Sequence, residues 1–210
     1  MLEPGDVLGA VGTTLLIFVT AGIGAIVLGT LVTVARVSPI PILRGAAFAY
    51  VQFFLNVPLL ALLIITVFAL PYAGFLLPLL PTAILTLMFY EGAYVAEAVR
   101  SGVNTIGVGQ LEASRALGFT QGQTLRLVVV PQALRAVVQP IGNVMIALLM
   151  NTAVVAAIGV SEITDITNKI NQVTAQPILV YSGSGLVYMV LALAIGVAAG
   201  IIERKVAIKR

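Results

Sequence analysis

Five long apolar stretches divide this chain, and its basic residues crowd into alternate gaps between them. Arg36 and Arg44 share one gap. Arg100, Arg115, Arg126 and Arg135 fall in or beside another, and Arg204, Lys205, Lys209 and Arg210 close the chain. Of the 11 Lys and Arg residues, Lys169 alone falls in the opposite set of gaps. Backbone amides in hydrocarbon must be satisfied within their own segment, so long apolar runs have to be helices, and roughly 20 residues cross the core. Short loops rich in Lys and Arg stay on the cytoplasmic side. The expectation is an all-α polytopic membrane protein, one domain over residues 1–210, with about five transmembrane helices, its N-terminus out and its C-terminus in.

Only 9% of the residues are charged and the mean hydropathy is +1.13. A soluble domain carries roughly 25% charge, and a soluble chain of this length could not bury so much apolar surface, so the lipid bilayer is part of its solvent. The sequence has no Cys and no His, which excludes disulfides, thiolate metal sites and imidazole chemistry. The net charge of +3 is dispersed over membrane-edge positions. No basic run could track a phosphate backbone, so nucleic acid is not an expected partner. The first residues carry Glu3 and Asp6 and no basic residue, so the first apolar stretch is expected to be retained as a helix rather than cleaved as a signal.

The spans are placed at about 8–35, 46–70, 78–99, 135–160 and 182–203. Arg36 with Pro39 and Pro41 ends the first, Pro71 ends the second, and Pro140 is a kink site in the fourth. Small residues recur every four positions at Ala21, Ala25 and Gly29, and at Gly196 and Gly200. They offer close helix contacts, although Gly and Ala are common in membrane helices in any case. Segment 161–176 puts Ile163, Ile166, Ile170 and Val173 on one face and the pair Asp165 and Lys169 on another. It reads as a short helix at the interface or over the outer mouth of the bundle, or as a plain connector.

The gap at 101–131 is too polar to cross a membrane. QLEASRAL (110–117) favours helix, with Leu111, Ser114 and Leu117 at three-residue spacing. Gly118 follows as a C-cap. Thr120 with Gln123 fits a capping box for a second helix, which Pro131 would stop. A helix–glycine–helix hairpin of this kind either docks into a groove on a soluble partner or packs on its own spans. It carries no catalytic group.

Glu112-Ala113-Ser114, then Gly118, then Val128, Val130 and Pro131 resembles the EAA loop of the transmembrane subunits of ABC importers, with a matching spacing at seven positions. Ser114 stands where the pattern has Ala. Further elements resemble the polar amino-acid, HisM/GlnP-like permeases: Ala93-Tyr94-Val95-Ala96-Glu97 with Arg100 and Gly102, Asn56-Val57-Pro58-Leu59-Leu60, Pro131 to Arg135, Pro140 to Asn143, and Ile158 to Glu162. The resemblance covers most of residues 50–165.

The resemblance implies a type I importer transmembrane domain in a bacterial plasma (inner) membrane, one of a homo- or heterodimer of permeases. Its partners would be two copies of a cytoplasmic ABC ATPase and an extracytoplasmic substrate-binding protein. Glu112, Ala113, Ser114, Arg115, Leu117 and Gly118 would form the ATPase-coupling surface. ATP and Mg would be bound by the ATPase, since this chain has no P-loop and is not expected to be an enzyme or to hold a cofactor or metal. Polar groups inside apolar spans are costly and usually functional. The pathway candidates are Asn56, Glu91, Tyr94, Asn143, Asn151 and Thr152. Asn143 and Asn151, eight apart, share a helix face, and Glu91 is deep enough to pair with a partner subunit. The membrane-edge pair Glu97 and Arg100 reads as a structural ion pair.

Leu55, Val144 and Met150-Asn151 replace charged or polar residues common in the resembled family. That loss argues against a cationic substrate and points to an acidic or neutral amino acid, glutamate first. Two alternatives remain at this level: a stand-alone secondary carrier, against which stands the absence of an internal repeat, and a non-transporting membrane scaffold.

Overall fold

The computed structural model describes residues 4–206, and Glu3, Lys209 and Arg210 lie outside them. The described residues form helices joined by short connections, with no strand among them. The longest regular helices are α1 (Pro4–Arg36), α4 (Leu79–Asn104), α7 (Val130–Asn151) and α9 (Pro177–Val206). Two short helices, α5 (Val108–Ala116) and α6 (Gln121–Thr124), lie between α4 and α7, and α8 (Ile163–Thr174) lies between α7 and α9. Four helices are long and apolar enough to cross a membrane, and five segments if the bent pair α2 (Pro41–Asn56) and α3 (Leu59–Ile64, extended to Ala73) counts as one.

That pair corrects the continuous second span expected over 46–70. The two helices meet at 104°. Pro58 has no amide hydrogen, and its ring pushes the preceding residue out of the helical region. Val57 accordingly is extended at φ −102°, ψ 132°. The run is apolar on both sides of the break, so hydropathy alone does not reveal it.

Pro131 does the opposite of what its chemistry predicts. It does not stop the helix that begins after Thr120. A π-turn over Leu125–Val129 passes into α7, and a 3-10 turn over Thr152–Ile158 extends it, giving one helical segment, Gln121–Ile158, of 38 residues. A proline inside a helix clashes with the carbonyl four residues back. The widened turn, closed by the Val130 amide on the Leu125 carbonyl, makes room for it. The same device precedes Pro71, where a π-turn spans Ile65–Ala69. Helix α7 also continues through Pro140.

Helix α4 is the centre of the bundle, packed mainly on α1 and α7 and also on α2. Ile17, Leu63, Leu87, Leu148 and Val155 form the fully buried core. Ala21 and Ala25 are fully buried. A Cβ on Gly29 would meet Val95 Cβ at 2.6 Å and the Gly92 carbonyl at 2.7 Å. The first small-residue series therefore sets a close crossing. The second does not: Gly200 has nothing within 4 Å, and the close approach of α7 to α9 is instead Gly142 on Ala199. Gly29→Ala is expected to cost about 1–3 kcal/mol through overpacking and to lower the melting temperature in detergent. Gly200→Ala should leave it unchanged.

The end of the bundle carrying Arg36 is tied by charge. Glu97 accepts from Arg36 at 2.7 Å and pairs with Arg100. Thr33 Oγ1 donates to the Ala96 carbonyl at 3.0 Å one turn away. At the opposite end, Ile163 and Ile166 of α8 are buried while Val173 is exposed, so its apolar face seats on the bundle only over its first half. Lys169 pairs with Asp165 at 2.6 Å.

Candidate functional site

Helix α4 places Tyr90, Glu91 and Tyr94 together in mid-bundle. The Glu91 side chain is nearly sealed, with 1% of the residue exposed. Its Oε1 accepts from Asn151 Nδ2 at 2.6 Å. This partner lies in the same chain, so the expected pairing of Glu91 with a partner subunit is not needed to satisfy it. Tyr90 and Tyr94, one turn apart, share a hydrogen bond at 3.1 Å with ring centroids at 5.2 Å. Asn151 is the last residue of α7, where the α-helix tightens into the 3-10 turn beginning at Thr152. A carboxylate in a low-dielectric interior needs compensating hydrogen bonds, and here the Asn151 amide supplies one.

Of the other pathway candidates, Thr152 adjoins this pair but turns its hydroxyl elsewhere, while Asn143 and Asn56 are exposed. Thr152 is fully buried and its Oγ1 donates back to the Leu149 carbonyl at 2.6 Å. Asn143 is exposed two turns earlier on α7. Asn56 is exposed at the end of α2, its amide donating to the Gln52 carbonyl at 2.7 Å. Sequence spacing put Asn143 and Asn151 on one helix face, but burial separates them.

The hairpin α5–α6 projects from the end that carries Arg100. Helix α5 ends in a Schellman turn: the Phe119 amide reaches the Ser114 carbonyl at 3.1 Å and the Gly118 amide reaches Arg115 at 2.9 Å. Gly118 takes φ +82°, a region that costs any residue with a Cβ. The capping box on α6 is complete, with Thr120 accepting from the Gln123 amide and Gln123 accepting from the Thr120 amide. Ser114 is buried and shares a 3.0 Å hydrogen bond with Thr124, so it clasps the two limbs together. Glu112, Ala113, Arg115, Leu117 and Gly118 are left exposed, and Leu117 is 76% exposed at the tip.

The sequence matches, over residues 25–208, the family of binding-protein-dependent transport system inner membrane components. The chain belongs to this family. It is a membrane permease rather than an enzyme, and ATP hydrolysis belongs to a separate subunit. The stand-alone carrier and the scaffold are set aside by that membership. The permease is similar to the glutamate transport system permease protein GluC of Corynebacterium glutamicum, at 34% identity over 98% of this chain and 96% of the relative. It is 32% identical to the probable glutamine ABC transporter permease protein GlnM of Bacillus subtilis, over 91% and 89% of the two chains. Its fold matches the crystal structure of an amino acid ABC transporter with histidines, with a TM-score of 0.88 and 27% identity over 96% of this chain and 94% of that one.

The permease carries one buried polar cluster that sequence reasoning did not single out. Glu162, fully buried, caps the amino end of α8 by accepting from the Thr164 and Asp165 amides at 2.7 and 3.0 Å. Its other oxygen accepts from Tyr188 of α9 at 2.6 Å and from Thr14 of α1 at 3.4 Å. Three helices thus meet on one carboxylate. The available signal was an acidic residue directly before an amphipathic helix, where it also favours the helix dipole.

Burial pushes the Glu162 carboxyl above the usual carboxylate range, against the hydrogen bonds from Tyr188, Asp165 and Thr164 that pull it down. A carboxyl raised on folding contributes stability that is present at acid pH and lost as pH climbs through its folded value. Amide protection in α8, corrected for intrinsic exchange, is therefore expected to be higher at mildly acid than at alkaline pH, and Glu162→Gln should flatten that dependence. Among the described residues no group of three or more His, Cys, Asp or Glu could hold a metal.

Proposed function

We propose that this permease moves a polar amino acid through the membrane as one half of a permease dimer, driven by two copies of an ABC ATPase and fed by an extracytoplasmic binding protein. The basic end of the bundle faces the cytoplasm, and the α5–α6 hairpin is the coupling element. One observation carries the reading. The second limb of the hairpin is continuous with the membrane span Gln121–Ile158, which carries Asn151 against Glu91. A force applied at Glu112, Ala113, Arg115, Leu117 and Gly118 then reaches the polar centre of the bundle along a single helical rod. Ser114 keeps the limbs together rather than touching the ATPase.

The Glu91–Asn151 pair is the polar centre of the pathway. Any amino acid brings an ammonium that needs an acceptor and a carboxylate that needs a donor, and these two side chains supply one of each. In this conformation they satisfy one another. Substrate passage exchanges their bond for contacts with the ligand. Tyr94 borders the same stretch of α4, and Asn56, Asn143 and Thr152 support the route at its edges.

Glutamate, or another acidic or neutral amino acid, is the favoured cargo. Leu55, Val144 and Met150 leave the pathway without added charge, and relatives at 34% and 32% identity are named for glutamate and glutamine. The test is ATP-dependent uptake of labelled glutamate, glutamine, aspartate and arginine by the complex reconstituted in proteoliposomes. Uptake that persists without the ATPase overturns the coupling, and arginine as best substrate overturns the choice of cargo.

A further inference from the structure

We propose that the permease holds an anionic phospholipid by its phosphate in the basic pocket between α1, α2 and α4. The pocket measures about 420 Å³ and is lined by Arg36, Val37, Pro41, Arg44, Gly45, Phe48 and Arg100. Three guanidinium groups converge there, and one carboxylate, Glu97, answers two of them. Three positive charges against one negative leave an excess of two.

Each arginine is placed for the task. Arg36, with its side chain 13% exposed, is fixed by Glu97 and stacks over the Phe48 ring at 5.6 Å, so its remaining N–H groups are oriented in advance. Arg100 is held by the same carboxylate. Arg44 makes no ion pair among the described residues and is free to close on a ligand. Guanidinium forks match the geometry of phosphate oxygens. The amino end of α2 opens on the same pocket, and Ile40 gives it no side-chain cap.

The surroundings select a lipid over a soluble anion. Val37, which lines the pocket, and Ile40, Ile42 and Leu43, next in sequence to the lining residues Pro41 and Arg44, are exposed. A site for free phosphate would be approached through water, whereas this one is flanked by apolar side chains that suit acyl chains. Basic pockets between helices at a membrane edge are the recognised setting for anionic headgroups.

The full-length permease in detergent should retain added phosphatidylglycerol in native mass spectra and gain thermal stability from it. Phosphatidylcholine and inorganic phosphate should do neither. Arg44→Ala is expected to weaken phosphatidylglycerol retention about fivefold, while Arg44→Lys retains most of it. Because the Arg44 side chain has no ion-pair partner among the described residues, the melting temperature of both variants in phosphatidylcholine should equal that of the parent. Equal retention of phosphatidylcholine, or retention untouched by Arg44→Ala, overturns the proposal. Inorganic phosphate displacing the lipid and protecting equally well would assign the pocket to a soluble anion instead.

Discussion

Asn151→Leu is expected to reduce ATP-dependent uptake by about tenfold or more while the protein still inserts and folds as a helical bundle. The substitution keeps the γ-branched shape in a somewhat larger side chain and removes the one donor that the Glu91 carboxyl has among the described residues. A buried acceptor stripped of its partner costs about 1–3 kcal/mol, more if charged, and each 1.4 kcal/mol is about a factor of ten. α4 and α7 must then separate, admit water or protonate the carboxyl, and each response disturbs the contact that substrate has to replace. Asn151→Asp should be at least as damaging, since two carboxylates at that distance cannot both ionise. Glu91→Gln is the informative contrast. It preserves length and acceptor, so the helix contact survives while the charge offered to an ammonium group is lost. The measurement is uptake alongside the melting temperature, and normal uptake in Asn151→Leu would remove the pair from the pathway.

The second large effect lies at the hairpin. Gly118→Asp and Glu112→Lys should each abolish co-purification of the ATPase and with it uptake, leaving membrane insertion intact. Gly118 has open space around it, so the damage is not a clash. It comes from the positive φ that the Schellman turn needs, at a cost of roughly 1–2 kcal/mol for a residue with a Cβ, and from a new negative charge on the exposed face of the hairpin tip. Glu112→Lys acts by charge alone on an exposed side chain. A variant that loses uptake yet keeps a bound ATPase would show that the hairpin transmits movement without providing the contact.

Much of this molecule was legible because apolar length and basic gaps are strong signals. The capping box at Thr120 and Gln123 and the ion pairs Asp165–Lys169 and Glu97–Arg100 are local, and the structure contains each of them. What escaped depends on distant partners or on backbone accommodation. Glu91 meets a residue 60 positions on, and Glu162 draws donors from positions 148 and 26 residues away. Pro131 reads as a stop because local chemistry cannot announce that a wider turn will absorb its ring. Leu111, Ser114 and Leu117 share a helical spacing, yet the helix ends at Ala116. Leu117 therefore caps and points outward while Ser114 turns in.

The helical segment Gln121–Ile158, 38 residues, is about 57 Å long at about 1.5 Å per residue. Tilted by about 10° around its midpoint, such a rod swings each tip by about 5 Å, in opposite directions. Closing the hairpin ends of two subunits toward one another would therefore spread the far ends apart and carry each Asn151, about 17 Å beyond the midpoint, outward by about 3 Å, so small rotations of an engine at one surface suffice to open a gap as wide as a side chain near the other.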